Sequence, residues 1–349
     1  MTNTPFVLFG AGFWARYQLA AWGEQSGAMC AAVVDPDAHK AQSLATTVNA
    51  AAFTDAADAL DTIKPAFADI VTPVETHVPL ARLCLDRGVP VICQKPLAPA
   101  FADAEALVRD FAAAGVPLLV HENWRWQTPI RAVAGALRSG VIGTPFRARI
   151  TFSCSFPVFD NQPFLKTVPR FIIADIGSHV LDVARFLFGA AHSVYALTAR
   201  VNPEIAGEDV ATVLMAMGDA RTAVTVEMSY ASRTEHERFP QTYLFIEGDR
   251  GSIELAPDYL LRITDETGTH LTRHAPPRYA SADPAYDLVQ SSMVPCIADL
   301  LGHLRGERTA ETTGADNLET ARLVGAAYES AASGTVWRTD GEHKGQTNA

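Results

Sequence analysis

Cysteine is scarce, with five residues in 349, at Cys30, Cys84, Cys93, Cys154 and Cys296. The number is odd, the spacing wide, and most of them sit inside apolar runs. Neither a disulfide framework nor a cysteine-bound metal is expected, and the usage fits reduced core thiols in a cytoplasmic protein. Positive charge is short as well: 28 Lys and Arg stand against 39 Asp and Glu, a formal charge of −11, and no basic cluster is interleaved with aromatics. Nucleic acid is therefore not expected as a partner. No apolar stretch approaches the roughly 18 residues of a membrane span. The opening MTNTPFVLFGAG passes straight into an apolar strand with neither a basic leader nor a small-residue cleavage site. Neither a membrane address nor export is expected. No internal repeat or low-complexity segment is found.

What is present suits a globular enzyme: 48% apolar and 19% charged residues, far from the signature of disorder. At roughly 150 residues per domain, the length suggests about two domains, each able to bury a core. Up to about residue 121, apolar runs at 6–9, 30–34, 68–71, 89–93 and 117–120 alternate with helix-length stretches at 15–24, 37–48, 75–87 and 101–114. Nearly continuous apolar strands separated by helices indicate a parallel sheet covered on both faces, so residues 1–121 read as a doubly wound α/β domain. Beyond it come a helix at 129–139, a strand at 146–152, a loop rich in aromatics and proline and a helix at 175–188, then strands without intervening helices at 194–201, 210–217, 223–230, 243–247, 252–255 and 260–264, and closing helices at 286–305 and 317–332. Residues 122–340 accordingly read as an α+β domain with a large, mainly antiparallel open sheet, and 341–349 as a loose tail.

Directly after the first strand stands Gly10-Ala11-Gly12-Phe13-Trp14-Ala15, a G-x-G-x-x-A dinucleotide fingerprint. The first glycine permits the tight turn, the second lets backbone approach a pyrophosphate, and Ala15 lets helix and strand pack closely. Phosphates would rest on the helix N-terminus, where unsatisfied N–H groups favour anions. Asp35, at the end of the second strand, is placed to accept hydrogen bonds from ribose hydroxyls and to repel a 2′-phosphate, which indicates NAD. The bland alternative is that Asp35, before Pro36, merely starts a turn and caps the next helix. Lys40 nearby would soften the preference and leave NADP possible.

Two further segments fall at carboxyl ends of parallel strands, where open α/β sheets bind ligands: Thr72-Pro73-Val74-Glu75-Thr76-His77 and Gln94-Lys95-Pro96. A lysine at a strand end held by a following proline, through a bond able to adopt cis, reads as functional rather than as a solvated charge. Asp175 and His179 are four apart and share a face if helical. With Asp182 they would form an incomplete metal face, for which no further ligands can be named; alternatively, Asp175 caps a helix and His179 is a core histidine.

GAGFWA, TPVETH, QKP and Asp175-Ile176-Gly177-Ser178-His179 together resemble the Gfo/Idh/MocA family over essentially the whole chain. The resemblance implies an N-terminal Rossmann domain holding NAD(P), a C-terminal sheet domain used for assembly as a homodimer or homotetramer, and oxidation of a sugar or polyol hydroxyl. It implies cofactor contacts from Gly10, Gly12, Phe13, Trp14, Ala15 and Asp35, and from Thr72, Pro73, His77, Gln94, Lys95 and Asn123. It implies a catalytic set of Lys95, Asp175 and His179, with His179 as base, Asp175 orienting it and binding substrate, and Lys95 hydrogen-bonding the reacting oxygen or relaying its proton. No metal is part of that set. One departure stands out, since the family usually has Glu-Lys-Pro and this chain has Gln94 where the Glu would be.

The run His121-Glu122-Asn123-Trp124-Arg125-Trp126-Gln127 and the run around Phe159 combine aromatic platforms with polar groups, which suits a polyhydroxylated ligand. Arg125, Trp126 and Phe159 are the candidate substrate contacts; packing is the competing role for Trp124 and Trp126. HENWRWQTPIR, PVICQKP and FPVFDNQPFLK are similar to the branch of the family that oxidises D-apiose, a branched pentose, to a lactone. An NAD-dependent glycoside hydrolase on the same scaffold, an inositol or polyol dehydrogenase, and a non-catalytic NAD-binding protein are the alternatives.

Overall fold

The computed structural model describes residues 4–235, 239–280, 282–284 and 286–339 and divides into two compact units, 1–131 with 276–322, and 132–275 with the residues from 323 on. The first unit is built on six strands, β1 (Thr4–Phe9), β2 (Ala28–Val34), β3 (Ala51–Phe53), β4 (Phe67–Ile70), β5 (Val91–Gln94) and β6 (Leu118–His121). Their order is β3-β2-β1-β4-β5-β6 and every pair is parallel. Helices α1 (Phe13–Gly23), α2 (Ala38–Thr46), α3 (Ala56–Ile63), α4 (His77–Leu85) and α5 (Phe101–Ala114) connect them. The strands are largely apolar because both faces are covered, and Phe67 to Ile70 and Leu118 to His121 are buried throughout, with Asp69 and His121 as enclosed polar exceptions. Strand order reverses between β1 and β4, the point at which doubly wound sheets open a crevice.

The expected Rossmann sheet is present, with an additional short strand and helix, β3 and α3, that sequence patterning passes over. Three residues of Ala-Ala-Phe carry too little periodicity to register.

The second unit holds a nine-stranded sheet formed by β7 (Pro145–Ser153), β8 (Ala191–Ala199), β9 (Val210–Met217), β10 (Thr222–Ser229), β11 (Tyr243–Gly248), β12 (Gly251–Ala256), β13 (Leu260–Asp265), β14 (Gly268–Arg273) and β15 (Trp337–Arg338). Its order is β14-β13-β12-β11-β7-β10-β9-β8-β15, antiparallel except where β10 runs parallel to β7. Helix α6 (Thr128–Arg138) leads the chain into this unit, the one-turn α7 (Val158–Asn161) follows β7, and α8 (Ile172–Phe188) packs on one sheet face against β7, β9 and β10. Alternation is clean on β9, where Ala211, Val213, Met215 and Met217 are buried while Thr212 and Leu214 are exposed. The opposite face displays Leu197, Leu214, Phe245 and Leu271.

One organisational feature differs from the sequence expectation of a continuous domain over 122–340. Helix α9 (Asp287–Leu304) and the first part of α10 (Gly314–Ser333) belong to the first unit. Gln25, two residues past the end of α1, donates to the Val294 carbonyl at 3.0 Å, and the Val120 N–H donates to the Thr312 carbonyl at 2.9 Å. Such a return is made by tertiary contacts and leaves no periodic trace. Residues 341–349 lie outside the described residues. Among the described residues no helix is long and apolar enough to cross a membrane.

Candidate functional site

The glycine turn closes because Gly10 has φ +98° and a Cβ there would lie 2.2 Å from the Val71 carbonyl oxygen, so no other residue fits. At Gly12, which caps α1, a Cβ would meet nothing within 4 Å, and no acidic residue occupies the first turn. The open space over unsatisfied N–H groups fits a pyrophosphate, and it supports the reading of both glycines. Phe13 and Trp14 open the helix half-buried, packed edge-on with Tyr17 and Tyr286, while Ala15 is fully buried against the sheet. Asp35 accepts hydrogen bonds from the Ala11 and Asp37 N–H groups, each at 2.9 Å, so its carboxylate ties the second strand's end to the glycine turn. The cap of α2 is Asp37, not Asp35, while the bond from the Asp37 N–H makes Asp35 the start of the turn before that helix.

The Thr72-Pro73 segment follows β4 at the switch point. Thr76 donates to the Thr72 hydroxyl at 2.7 Å, and the buried His77 ring lies with one nitrogen 2.9 Å from the Thr72 carbonyl and the other 2.9 Å from the Pro96 carbonyl. His77 therefore clamps two strand-end loops from behind, and burial holds its pKa below the ordinary imidazole value. The Lys95-Pro96 bond is cis.

Beneath Lys95 runs a buried amide chain. Trp22 Nε1 and Gln18 Nε2 donate to the fully buried Asp69, at 2.6 Å and at 2.7 and 2.8 Å to its two oxygens. Burial pushes Asp69 up to about 7 in spite of those donors. With its nitrogen given to Asp69, Gln18 presents its oxygen to Gln94, whose Nε2 donates to it and also approaches His121 Nδ1 at 3.1 Å. His121 thus carries its ring hydrogen on Nε2.

Register pairs Gln94 with His121 across β5 and β6, so Lys95 and Glu122 leave adjacent strand ends together. Glu122 is 0% exposed and accepts the Trp124 N–H at 3.3 Å. Burial raises its carboxyl to about 7 against the opposing charge of Lys95 and, less strongly, Arg125. The other residues of this run are largely engaged inside the unit. Asn123 donates to Ser292 at 2.7 Å, and Arg125 donates to Asp316 at 2.9 Å and to the Glu311 carbonyl at 3.1 Å. The half-buried Trp126 ring lies 3.7 Å from the Arg131 guanidinium. Trp124 is buried, in keeping with packing.

In the second unit α8 starts at Ile172, three residues before the expected boundary, so Asp175 lies within the first turns and does not cap the helix. Glu208 does that work: its carboxylate accepts the Phe171 and Ile173 N–H groups at 3.2 Å, and Tyr328 donates to it at 2.7 Å while accepting from Ala174. Burial raises the Tyr328 phenol well above its usual range. Asp175, half-buried, and His179, 8% exposed, lie one helical turn apart. Asp182, fully buried, is paired with Arg185 at 3.7 Å, and no group able to hold a metal ion occurs among the described residues. Phe159 lies on α7, its ring 5.4 Å from that of Phe171.

Sequence reasoning gives no role to Gln18, Asp69, Glu208 or Glu122. An acidic or amide residue within an apolar strand or helix was the available signal for the first two. Glu122 stands in the quoted strand-end run but is inconspicuous beside its aromatics.

Residues 5–122 match the model of an oxidoreductase family with an NAD-binding Rossmann fold, and residues 130–254 match the GFO/IDH/MocA C-terminal domain. D-apiose dehydrogenase of Paraburkholderia graminis is 43% identical over 329 residues, covering 94% of this chain and 88% of the relative. That of Rhizobium rhizogenes is 41% identical over 335 residues, covering 96% and 97%. A solved oxidoreductase from Agrobacterium radiobacter, in complex with NAD+, L-tartaric acid and magnesium, is similar with TM-score 0.94 and 40% identity over 97% of this chain and 98% of that one. The glycine turn at the sheet's switch point is thus matched by kinship along nearly the full length, and the chain belongs to the Gfo/Idh/MocA family of NAD-dependent oxidoreductases.

Proposed function

We propose that this NAD-dependent sugar dehydrogenase acts in the cytoplasm on D-apiose, oxidising the anomeric carbon to a lactone. The observation that carries the substrate is the 41–43% identity over nearly the whole chain to two D-apiose dehydrogenases. NAD, held over α1 by the Gly10 to Gly12 turn and Asp35, supplies the hydride acceptor when bound. The chain's own residues handle the proton. His179 takes it from the sugar hydroxyl, Asp175 one turn away orients the imidazole and binds substrate, and Lys95 hydrogen-bonds the reacting oxygen or relays its proton. Arg125, engaged with Asp316, acts by stiffening the strand-end run, and Trp126 and Phe159 offer aromatic faces to the sugar's C–H groups. The exposed sheet face with Leu197, Leu214 and Phe245 supports assembly as a homodimer or homotetramer.

The test is NADH formation by the purified protein with NAD, and separately with NADP, across D-apiose, other aldopentoses, hexoses and myo-inositol. Selective turnover of D-apiose with NAD is the expected result. Turnover of myo-inositol alone would replace the substrate, and no NADH from any sugar would move the assignment to a glycoside hydrolase that regenerates its cofactor.

A further inference from the structure

The family's Glu-Lys-Pro places a carboxylate one residue before the strand-end lysine. Here position 94 is an amide, turned into the Gln18 to Asp69 chain and toward His121. Its amide hydrogens match the outward-facing Gln18 oxygen and an unprotonated His121 Nδ1; a carboxylate at 94 could not donate to the Gln18 oxygen and would need His121 in its other tautomer. The register nevertheless brings a different carboxylate to the lysine, since pairing of Gln94 with His121 sends Lys95 and Glu122 off neighbouring strand ends. Glu122 is completely enclosed. The charged groups that act on it are Lys95 from the end of β5, Arg125 from the single turn after β6, and Asp316 from α10, of which Lys95 has the largest effect. Arg125 is itself bonded to Asp316, so those two charges largely offset one another. From α9, Cys296 Sγ approaches the Glu122 carbonyl at 3.6 Å, an uncharged contact with the main chain.

We propose that Glu122 is a positioning residue for Lys95, holding its amine at the strand ends and exchanging one proton with it. The step conserves atoms and charge: an N–H bond of the Lys95 ammonium breaks, an O–H bond forms on the Glu122 carboxylate, and a neutral amine and neutral acid remain. Enclosure of Glu122 favours its protonated form over a desolvated carboxylate, and the Lys95 charge opposes that, so the carboxyl is balanced between holding a proton and releasing it. A carboxyl raised to about 7 populates both forms near neutral pH, as a proton-holding group requires. In the dehydrogenase reading above, on which this role rests, Glu122 becomes the station behind Lys95 and substitutes from β6 for the carboxylate missing at 94.

The decisive measurement does not depend on turnover. Infrared difference spectra of the full-length protein without NAD or sugar, titrated through neutral pH, should contain a carboxylic-acid C=O band that Glu122→Gln removes. Lys95→Met should move that band's midpoint up by at least about one pH unit, while Lys95→Arg, which keeps the charge, should move it much less. A band insensitive to Lys95→Met, or no band lost in Glu122→Gln, overturns the proposal. If Glu122→Gln does not fold, glutamate 13C NMR of the wild type and Lys95→Met gives the same comparison. With a turned-over sugar and NAD, Glu122→Gln should lower kcat at least about tenfold, leave the KM for NAD unchanged and remove the kcat limb near neutrality. Should no sugar be oxidised by the wild type, the dehydrogenase reading fails while the infrared result still decides the Lys95 pairing.

Discussion

The two units hold their candidate residues in different ways. In the first, each polar group is fixed from several directions: Asp69 on β4 receives N–H groups from two residues of α1, and Gln94 on β5 joins α1 to β6. In the second, Asp175 and His179 ride on one helix whose start is braced by Glu208 and Tyr328. Strand ends locked by a shared buried network suit a ligand that never changes, such as a dinucleotide. Residues on one helix face can be exchanged without disturbing a sheet, which suits a variable substrate. Substitutions in the glycine turn and buried amide chain of the first unit should therefore weaken cofactor affinity and folding, and those on α8, like those at the Lys95 and Glu122 strand ends, should weaken turnover.

The largest expected effect comes from α8. His179→Ala should leave NAD affinity, measured by calorimetry, nearly intact while kcat on the best sugar falls at least ~100-fold. Unchanged turnover would remove His179 from the chemistry. Cofactor affinity should respond instead to Asp35→Ala, which loses a carboxylate that already accepts two backbone N–H groups of the turn. Loss of a charge-assisted bond of about 1.5–3 kcal/mol corresponds to roughly 10–100-fold weaker NAD binding, with NADP affected less. Equal losses for both cofactors would show that Asp35 only shapes the loop.

How legible each unit was in the sequence follows from the same contrast. Gly10, Gly12 and Asp35 could be read because a glycine turn imposes residue types at fixed offsets, and Asp175 with His179 because a helix repeats at four. The open sheet was legible from alternation on β9 and its neighbours, although the parallel β7–β10 pair was not, since strand order is set by tertiary pairing. Return of α9 to the first unit, the clamp by His77 and the Glu122 approach to Lys95 each join residues distant in sequence or adjacent only through register. Arg125 shows the limit from the other side. Its composition reads as a sugar contact, and the structure commits it to Asp316 and a main-chain carbonyl.

The buried amide chain offers a sharper break. Gln94→Glu restores the family's usual residue, yet it puts an acceptor against the Gln18 oxygen, which now receives a hydrogen bond, and forces His121 into the tautomer that donates from Nδ1. Turning Gln18 to donate outward would strip Asp69 of its bidentate donor. Leaving such a group unsatisfied costs about 1–3 kcal/mol, which urea unfolding at neutral pH would resolve. A variant as stable as the wild type would mean that the network rearranges freely, and the contrast between the units would lose its basis.

The smallest effect is a dependence of stability on pH, and it should originate in the first unit. Asp69 and Glu122 are both raised by burial, from 3.8 and 4.5 in the ordinary state to about 7 in the fold. Between those limits the native state binds more protons than the unfolded chain, so stability contributed by these groups is complete at the acid end and is lost as pH rises toward 7. His77 acts oppositely: burial lowers it below its usual 6.5, so its contribution grows as pH rises toward that value and is complete above it. With two carboxyls against one imidazole, the urea midpoint should drift down from about pH 5 to 7.5, and Asp69→Asn should make that drift shallower. In the second unit, the strongly shifted Tyr328 titrates far above this window and adds nothing to it. A midpoint that instead climbed across the range would mean that Asp69 and Glu122 are ionised in the fold at little cost. The chain from Gln94 to Asp69 would then be solvated rather than sealed, and the first unit would owe its rigidity to the sheet alone.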